Sequence, residues 1–176
     1  MNELELFKDF ILKDFLLNPV TNFTFFDLTD SDSYSGLVLE NRIHAIKNPW
    51  LIINLSVVCR EILDPLSERI DPFGDNPDII FINSGGRFHK LNYAVGGKEH
   101  SEHLLFSAVD FYSNEFSIDV LGQEILMGEL PFHQLIFNYE EKKPFLHISK
   151  YNLNPQVENY EILKKENGKY VSYNFK

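Results

Sequence analysis

The chain is poor in cysteine, in basic charge and in long apolar runs. Its one cysteine, Cys59, excludes an internal disulfide and any cysteine-rich metal site. Set among apolar neighbours in an expected helix, Cys59 reads as core packing rather than as a reactive thiol. Lys and Arg number 16 against 26 Asp and Glu, for a net charge of −10. That balance disfavours nucleic acid and anionic lipid as partners. It leaves peptides, proteins and cations. No apolar run approaches the roughly 20 residues that span a bilayer, so no membrane insertion is expected. Met1 to Pro19 has no basic start followed by an unbroken apolar stretch, so it does not read as a secretory signal, and synthesis in the cytoplasm is expected. There is no internal repeat and no low-complexity segment.

What is present suits one domain over residues 1–176, with 44% apolar residues to fill a core. Leu4, Phe7, Ile11 and Phe15 recur at helical spacing, which predicts a helix over Glu3 to Leu17. Asn48 and Pro49 suit the cap and first position of a second helix, to about Leu63, with Leu51, Leu55, Val58 and Ile62 in one stripe. Ile79 to Ile82, Ser107 to Tyr112, Leu135 to Phe137 and Phe145 to Ser149 read as strands. Phe88 to Tyr93 reads as one helical turn and Ile118 to Met127 as a helix. Asn167-Gly168 between Tyr160 to Leu163 and Tyr170 to Phe175 is a hairpin signal. Strands and helices without regular alternation predict an α+β fold with a mostly antiparallel sheet flanked by helices.

Three residues carry ligand chemistry. His103 and Asp110 stand seven apart, and His147 falls inside an apolar strand, where an unpaired imidazole is costly to bury. Two imidazoles and a carboxylate suit a catalytic zinc, which takes three protein ligands and leaves one position open. From spacing alone, a hydrogen-bonded core histidine is the commoner explanation of His147.

The surrounding pieces add to this pattern. Ser84-Gly85-Gly86-Arg87, Leu91 to Gly97, Ser101 to Asp110, Phe132 to Ile136 and Phe145 to Ser149 follow one another in order. Together they resemble the zinc D-Ala-D-Ala carboxypeptidase family, which includes phage endolysin peptidases and shares its fold with the hedgehog signalling domain. The resemblance covers roughly residues 23–151. It implies one zinc held by His103, Asp110 and His147. It implies a substrate carboxylate on Arg87, although a surface salt bridge is the plainer reading of that side chain. Ser101 would contact substrate or orient His103. The family's general base lies six residues before the last histidine, which is Glu141, with Glu140 as the fallback. An even separation along a strand would keep Glu141 and His147 on one face, but Pro144 and two lysines between them read as loop.

Three positions depart from the family's pattern. Phe106 stands in place of glycine, Gly86 in place of tyrosine, and His133 in place of aspartate. Each bears on substrate fit, and none removes a ligand. His44, His89 and His100 match no ligand position and read as surface residues. The expected function is hydrolysis of a peptidoglycan stem peptide or crossbridge by a monomeric zinc peptidase, of carboxypeptidase or L-Ala-D-Glu endopeptidase type. Such an enzyme would act at the bacterial cell wall after release, as a phage or prophage lysis enzyme does. The alternatives are a non-catalytic zinc-binding interaction module on the same fold, and a metal-free scaffold.

Overall fold

The structure, a computed structural model, describes residues 22–76, 79–150 and 160–174. The helix expected over Glu3 to Leu17 lies outside the described residues. In chain order, α1 spans Ser35–Lys47 and α2 Pro49–Val58; a π-helical turn, Cys59–Leu63, leads into α3, Asp64–Ile70. Then come β1 (Phe81–Ser84), α4 (His89–Ala94), a one-turn 3-10 helix (Glu102–Leu105) and β2 (Ala108–Tyr112). Next are α5 (Ile118–Met127), β3 (Gln134–Asn138), β4 (Phe145–Ser149) and the hairpin of β5 (Glu161–Glu166) and β6 (Lys169–Ser172).

The six strands form one sheet in the order β1-β2-β4-β3-β5-β6. Every neighbouring pair is antiparallel except β3 and β5, which run parallel. The fold is therefore α+β with a mostly antiparallel sheet, as the sequence predicts. Side chains alternate across the sheet. Val109, Phe111, Leu135, Phe137, Leu146 and Ile148 all point to one face and are fully buried. Against them pack Leu51, Leu55, Val58 and Ile62, the predicted stripe of α2 and its continuation, with Cys59 at no exposure. The other face of the same strands is left for the site.

The helix predicted to close near Leu63 runs on to Ile70. A proline inside a helix clashes with the carbonyl four residues back. The wider π turn at Cys59–Leu63 shifts the ladder so that Asp64 N donates to Cys59 O, and Pro65 follows without a break. Two further differences bear on the site. The strand expected at Ile79 to Ile82 is formed two residues later, at Phe81–Ser84, which carries Ser84 to the sheet's polar face. Helix α1 has no counterpart among the predicted elements, because its buried face carries a polar residue, Asn41, beside Val38, Ala45 and Ile46.

Candidate metal centre

Register brings two of the candidate ligands together. Asp110 on β2 lies directly opposite His147 on β4. Paired residues on neighbouring strands share a face with Cβ atoms about 4.5–5.5 Å apart. Ser84 continues the same row on one side of Asp110, and Ile136 then Leu163 continue it beyond His147. His103 arrives from outside the sheet, on the 3-10 turn. The turn is pinned by its own carbonyls: Arg87 N and Phe106 N both donate to His103 O, at 2.9 and 3.1 Å.

The three side chains converge. His103 Nε2 is 3.2 Å from His147 Nδ1 and 3.3 Å from Asp110 Oδ1. His147 Nδ1 is 2.8 Å from the same Oδ1. A tetrahedral zinc with bonds of roughly 2.0–2.1 Å has ligand-to-ligand edges of about 3.3 Å. Two of the three edges match that value and the third is shorter, so the donor set fits zinc in kind and in spacing. His103, Asp110 and His147 form the one such cluster among the described residues.

The surroundings suit a ligand role. His103 Nδ1 donates to Gly85 O at 2.6 Å, which fixes the tautomer and presents Nε2. Asp110 Oδ2 accepts from Arg87 Nη2 at 2.8 Å, and Arg87 Nε donates to Ser84 Oγ at 2.7 Å. Burial lowers the His103 pKa against the pull of Asp110, which favours the neutral imidazole a metal needs. Burial pushes the Asp110 carboxyl upwards, but His103 and His147 outweigh it by charge and hydrogen bond and hold it well below the usual carboxylate range. Burial also lowers the Arg87 pKa from its ordinary value.

Buried amides and close backbone contacts hold this frame. Asn41 Nδ2 donates to Thr29 O and Gly86 O, and its Oδ1 accepts from Phe88 N, so one carboxamide ties α1 to the Ser84–Phe88 turn. A Cβ at Gly85 would lie 2.2 Å from Leu28 O, which explains a glycine there. Asn92 Nδ2 donates to Lys98 O, and its own carbonyl accepts from Gly97 N. A Cβ at Gly97 would lie 2.1 Å from Asn92 Oδ1, so the spacing of Asn92 and Gly97 follows from one packed turn.

The departures from the family's pattern resolve in the same way. Phe106 adopts φ 54, a left-handed conformation that glycine takes at little cost. Its ring is fully buried and does not line the cleft. It lies where a side chain at residue 86 would begin, since a Cβ on Gly86 would come 2.0 Å from the ring. The phenylalanine and the glycine thus compensate each other. His133 Nδ1 is 2.6 Å from Glu102 Oε1, a contact that ties the His103 turn to the start of β3. His44 is not a free surface residue. It is half-buried, with its ring centroid 6.4 Å from that of Phe106. His89 and His100 are exposed, and His100 lines the cleft.

Over the three candidate ligands lies a cleft of about 650 Å³ that also takes in Arg87, Ser101, Glu102 and His133. Glu141 falls outside that lining. Strand β4 begins at Phe145, so Glu141 belongs to the β3–β4 connection, with its side chain 55% exposed and 3.7 Å from Lys165 Nζ. Glu102 is the carboxylate outside the ligand set that lines the cleft among the described residues. Its Oε2 is buried without a hydrogen-bond partner. Its position beside His103 was the one cue to it in the sequence.

The model of the peptidase M15 family matches residues 34–149, about two thirds of the chain. The chain belongs to the peptidase M15 family. That places it among zinc-dependent hydrolases of the D-Ala-D-Ala carboxypeptidase kind, which act on peptidoglycan peptides. The match ends at Ser149, the last residue of β4, so the β5–β6 hairpin of this M15 member lies beyond it. Comparison with curated proteins finds no match. No helix among the described residues is long and apolar enough to cross a membrane.

Proposed function

We propose that this M15 member is a zinc peptidase that cleaves an amide bond in a peptidoglycan stem peptide or crossbridge, as a D-Ala-D-Ala carboxypeptidase or an L-Ala-D-Glu endopeptidase. The observation that carries the reading is the His103–Asp110–His147 donor set, spaced as three corners of a tetrahedron on the floor of a cleft. Zinc bound there would polarise a carbonyl and make water acidic enough to attack near neutral pH.

The chain's own residues supply the rest. Arg87 fixes Asp110 through Nη2, while its Nη1 makes no hydrogen bond among the described residues and can meet a substrate oxygen. Ser101 lines the cleft beside His103 and can hydrogen-bond the peptide. The attacking water must lose a proton to a nearby base. Glu102, the carboxylate that lines the cleft beside the candidate ligands, is the acceptor of this reading, and Glu141 is the alternative if the β3–β4 connection folds inward. Release to the cell wall, as for a lysis enzyme, belongs to the same proposal.

Elemental analysis of the purified chain should find about one zinc, and a chelator should abolish hydrolysis of cell-wall peptides. Undiminished hydrolysis by His103→Ala would overturn the reading. The exposed position of Glu141 also favours a second reading, a zinc-binding module without turnover. In that case metal removal lowers the melting temperature while no peptide is cut.

A further inference from the structure

The chain is strongly acidic, with a net charge of −10. Its cleft is not. Arg87, Lys98 and Lys165 line it against Glu102 and Asp110, before any metal is counted. Two of these cations are already answered. Arg87 is bonded to Asp110 at 2.8 Å, and Lys165 lies 4.0 and 3.7 Å from Glu140 and Glu141. Lys98 is different. No carboxylate of the described residues lies within ion-pair distance of its ammonium, which rests instead over the ring of Tyr170, 4.4 Å from the centroid. A cation–π contact holds an ammonium in place without neutralising it.

The two residues come from opposite walls. Lys98 sits on the loop after α4, fixed by the Asn92 side chain at Lys98 O and by the Gly97 turn. Tyr170 sits on β6, paired with Lys165 of β5, on the hairpin beyond the family match. Tyr170 lines the cleft. The row next to the ligand row runs Phe145, Asn138, Lys165, Tyr170 across β4, β3, β5 and β6. The ammonium and the ring that carries the phenol O–H therefore meet over the cleft, one row from the candidate metal centre.

We propose that Lys98 and Tyr170 form a carboxylate subsite that selects peptides with a free carboxylate near the scissile bond. The proposal rests on the peptidase reading of the same cleft. Both side chains donate, and an oxygen anion is the partner that answers an unpaired ammonium. The acidic remainder of the molecule repels anionic peptides, so an unpaired ammonium in the cleft also helps to steer them towards it. A C-terminal carboxylate and an acidic side chain offer the same chemistry.

Three probes separate the possibilities on the zinc-loaded full chain: acetyl-D-alanyl-D-alanine, its C-terminal amide, and the C-terminal amide of acetyl-D-alanyl-D-glutamate. Binding is read by titration calorimetry and turnover by steady-state kinetics. The wild type should bind the free acid about tenfold or more tightly than the plain amide. Lys98→Met and Tyr170→Phe should each cut that ratio to about threefold or less, mainly through KM, with zinc content and melting temperature unchanged. Lys98→Arg should keep it. Tyr170→Phe retains the ring under the ammonium and so tests the hydroxyl alone. Tight binding of the glutamate amide assigns the subsite to a side-chain carboxylate. Equal affinity for acid and amide in the wild type, or a full ratio in Lys98→Met, overturns the subsite. Absence of zinc and of hydrolysis with the binding ratio intact strikes the peptidase reading and leaves the subsite standing.

Discussion

The two walls of the cleft are built on different terms. The inner wall, β2 and β4 with the turn of His103, is buried and over-determined. Asp110 and His147 face each other by register, His103 is locked to Gly85 O, and Asn41 ties the Ser84–Phe88 turn down from below. The outer wall, the β5–β6 hairpin, is exposed along β6 and held largely by backbone pairing to β3 and by polar contacts such as Gly168 N to Glu140. The first arrangement suits chemistry, which needs atoms fixed within a fraction of an ångström. The second suits selection, since an exposed edge can change its side chains without disturbing the core.

The largest effect should come from breaking the inner wall. His147→Ala removes one of three ligands, and zinc affinity measured by competition with a chromogenic chelator should fall at least about 100-fold. The hairpin variants should leave it unchanged. Next comes the proton acceptor, where loss of a general base typically costs about 10²- to 10⁴-fold in rate. Glu102→Gln should lose activity on that scale with zinc retained, whereas Glu141→Gln should stay within about tenfold. The reverse order would move the base from the inner wall to the β3–β4 connection.

The Phe106 and Gly86 pair tests how tightly the inner wall is packed. Phe106→Gly should destabilise by about 3 kcal/mol, the cost of the cavity offset in part by relief of the left-handed backbone. Gly86→Tyr alone should be at least as damaging, because its side chain meets the Phe106 ring. The double variant should recover part of the loss in chemical denaturation, a coupling expected of residues in contact. Strictly additive losses would mean the two sites do not share the space.

A smaller effect belongs to the helical layer. Burial raises the Asp64 pKa to about 6, against the lowering effect of Asn22 N. The folded state therefore holds this proton more tightly than the unfolded chain does. Stability from this group is complete below pH 4 and is lost as the pH rises through about 6. Asp64→Asn should gain up to roughly 2 kcal/mol over the wild type at pH 7.5 and nothing at pH 4, read from melting curves at both values. Smallest of all, Gly168→Ala on the outer wall places a side chain at φ 72. About 1 kcal/mol should be lost, with zinc affinity untouched.

Much of this was legible in the sequence for physical reasons. His147 and Asp110 stood out because imidazole and carboxylate types are scarce in apolar strands, but spacing alone favoured a core histidine, and only the resemblance to a zinc peptidase family joined them with His103 into one candidate set. The hairpin could be read because Asn167-Gly168 has both residues at positive φ, as a tight turn demands. Helix α1 could not be, since Asn41 is buried for its hydrogen bonds and so breaks the apolar periodicity. Nor could Glu102, whose partner His133 is 31 residues away, or the placement of the Phe106 ring outside the cleft, which depends on a neighbour 20 positions back meeting it in space.

That last pair also constrains how such a sequence can change. Between the tyrosine and glycine of the pattern this chain resembles and its own Gly86 and Phe106, single replacements offer two orders. Gaining the phenylalanine first puts two rings into one space, while losing the tyrosine first leaves only a hole. A side chain at residue 86 would begin inside the Phe106 ring, so the route that avoids the overlap runs through glycine at both positions. Once the phenylalanine has filled the hole, the way back is closed to any single step at residue 86.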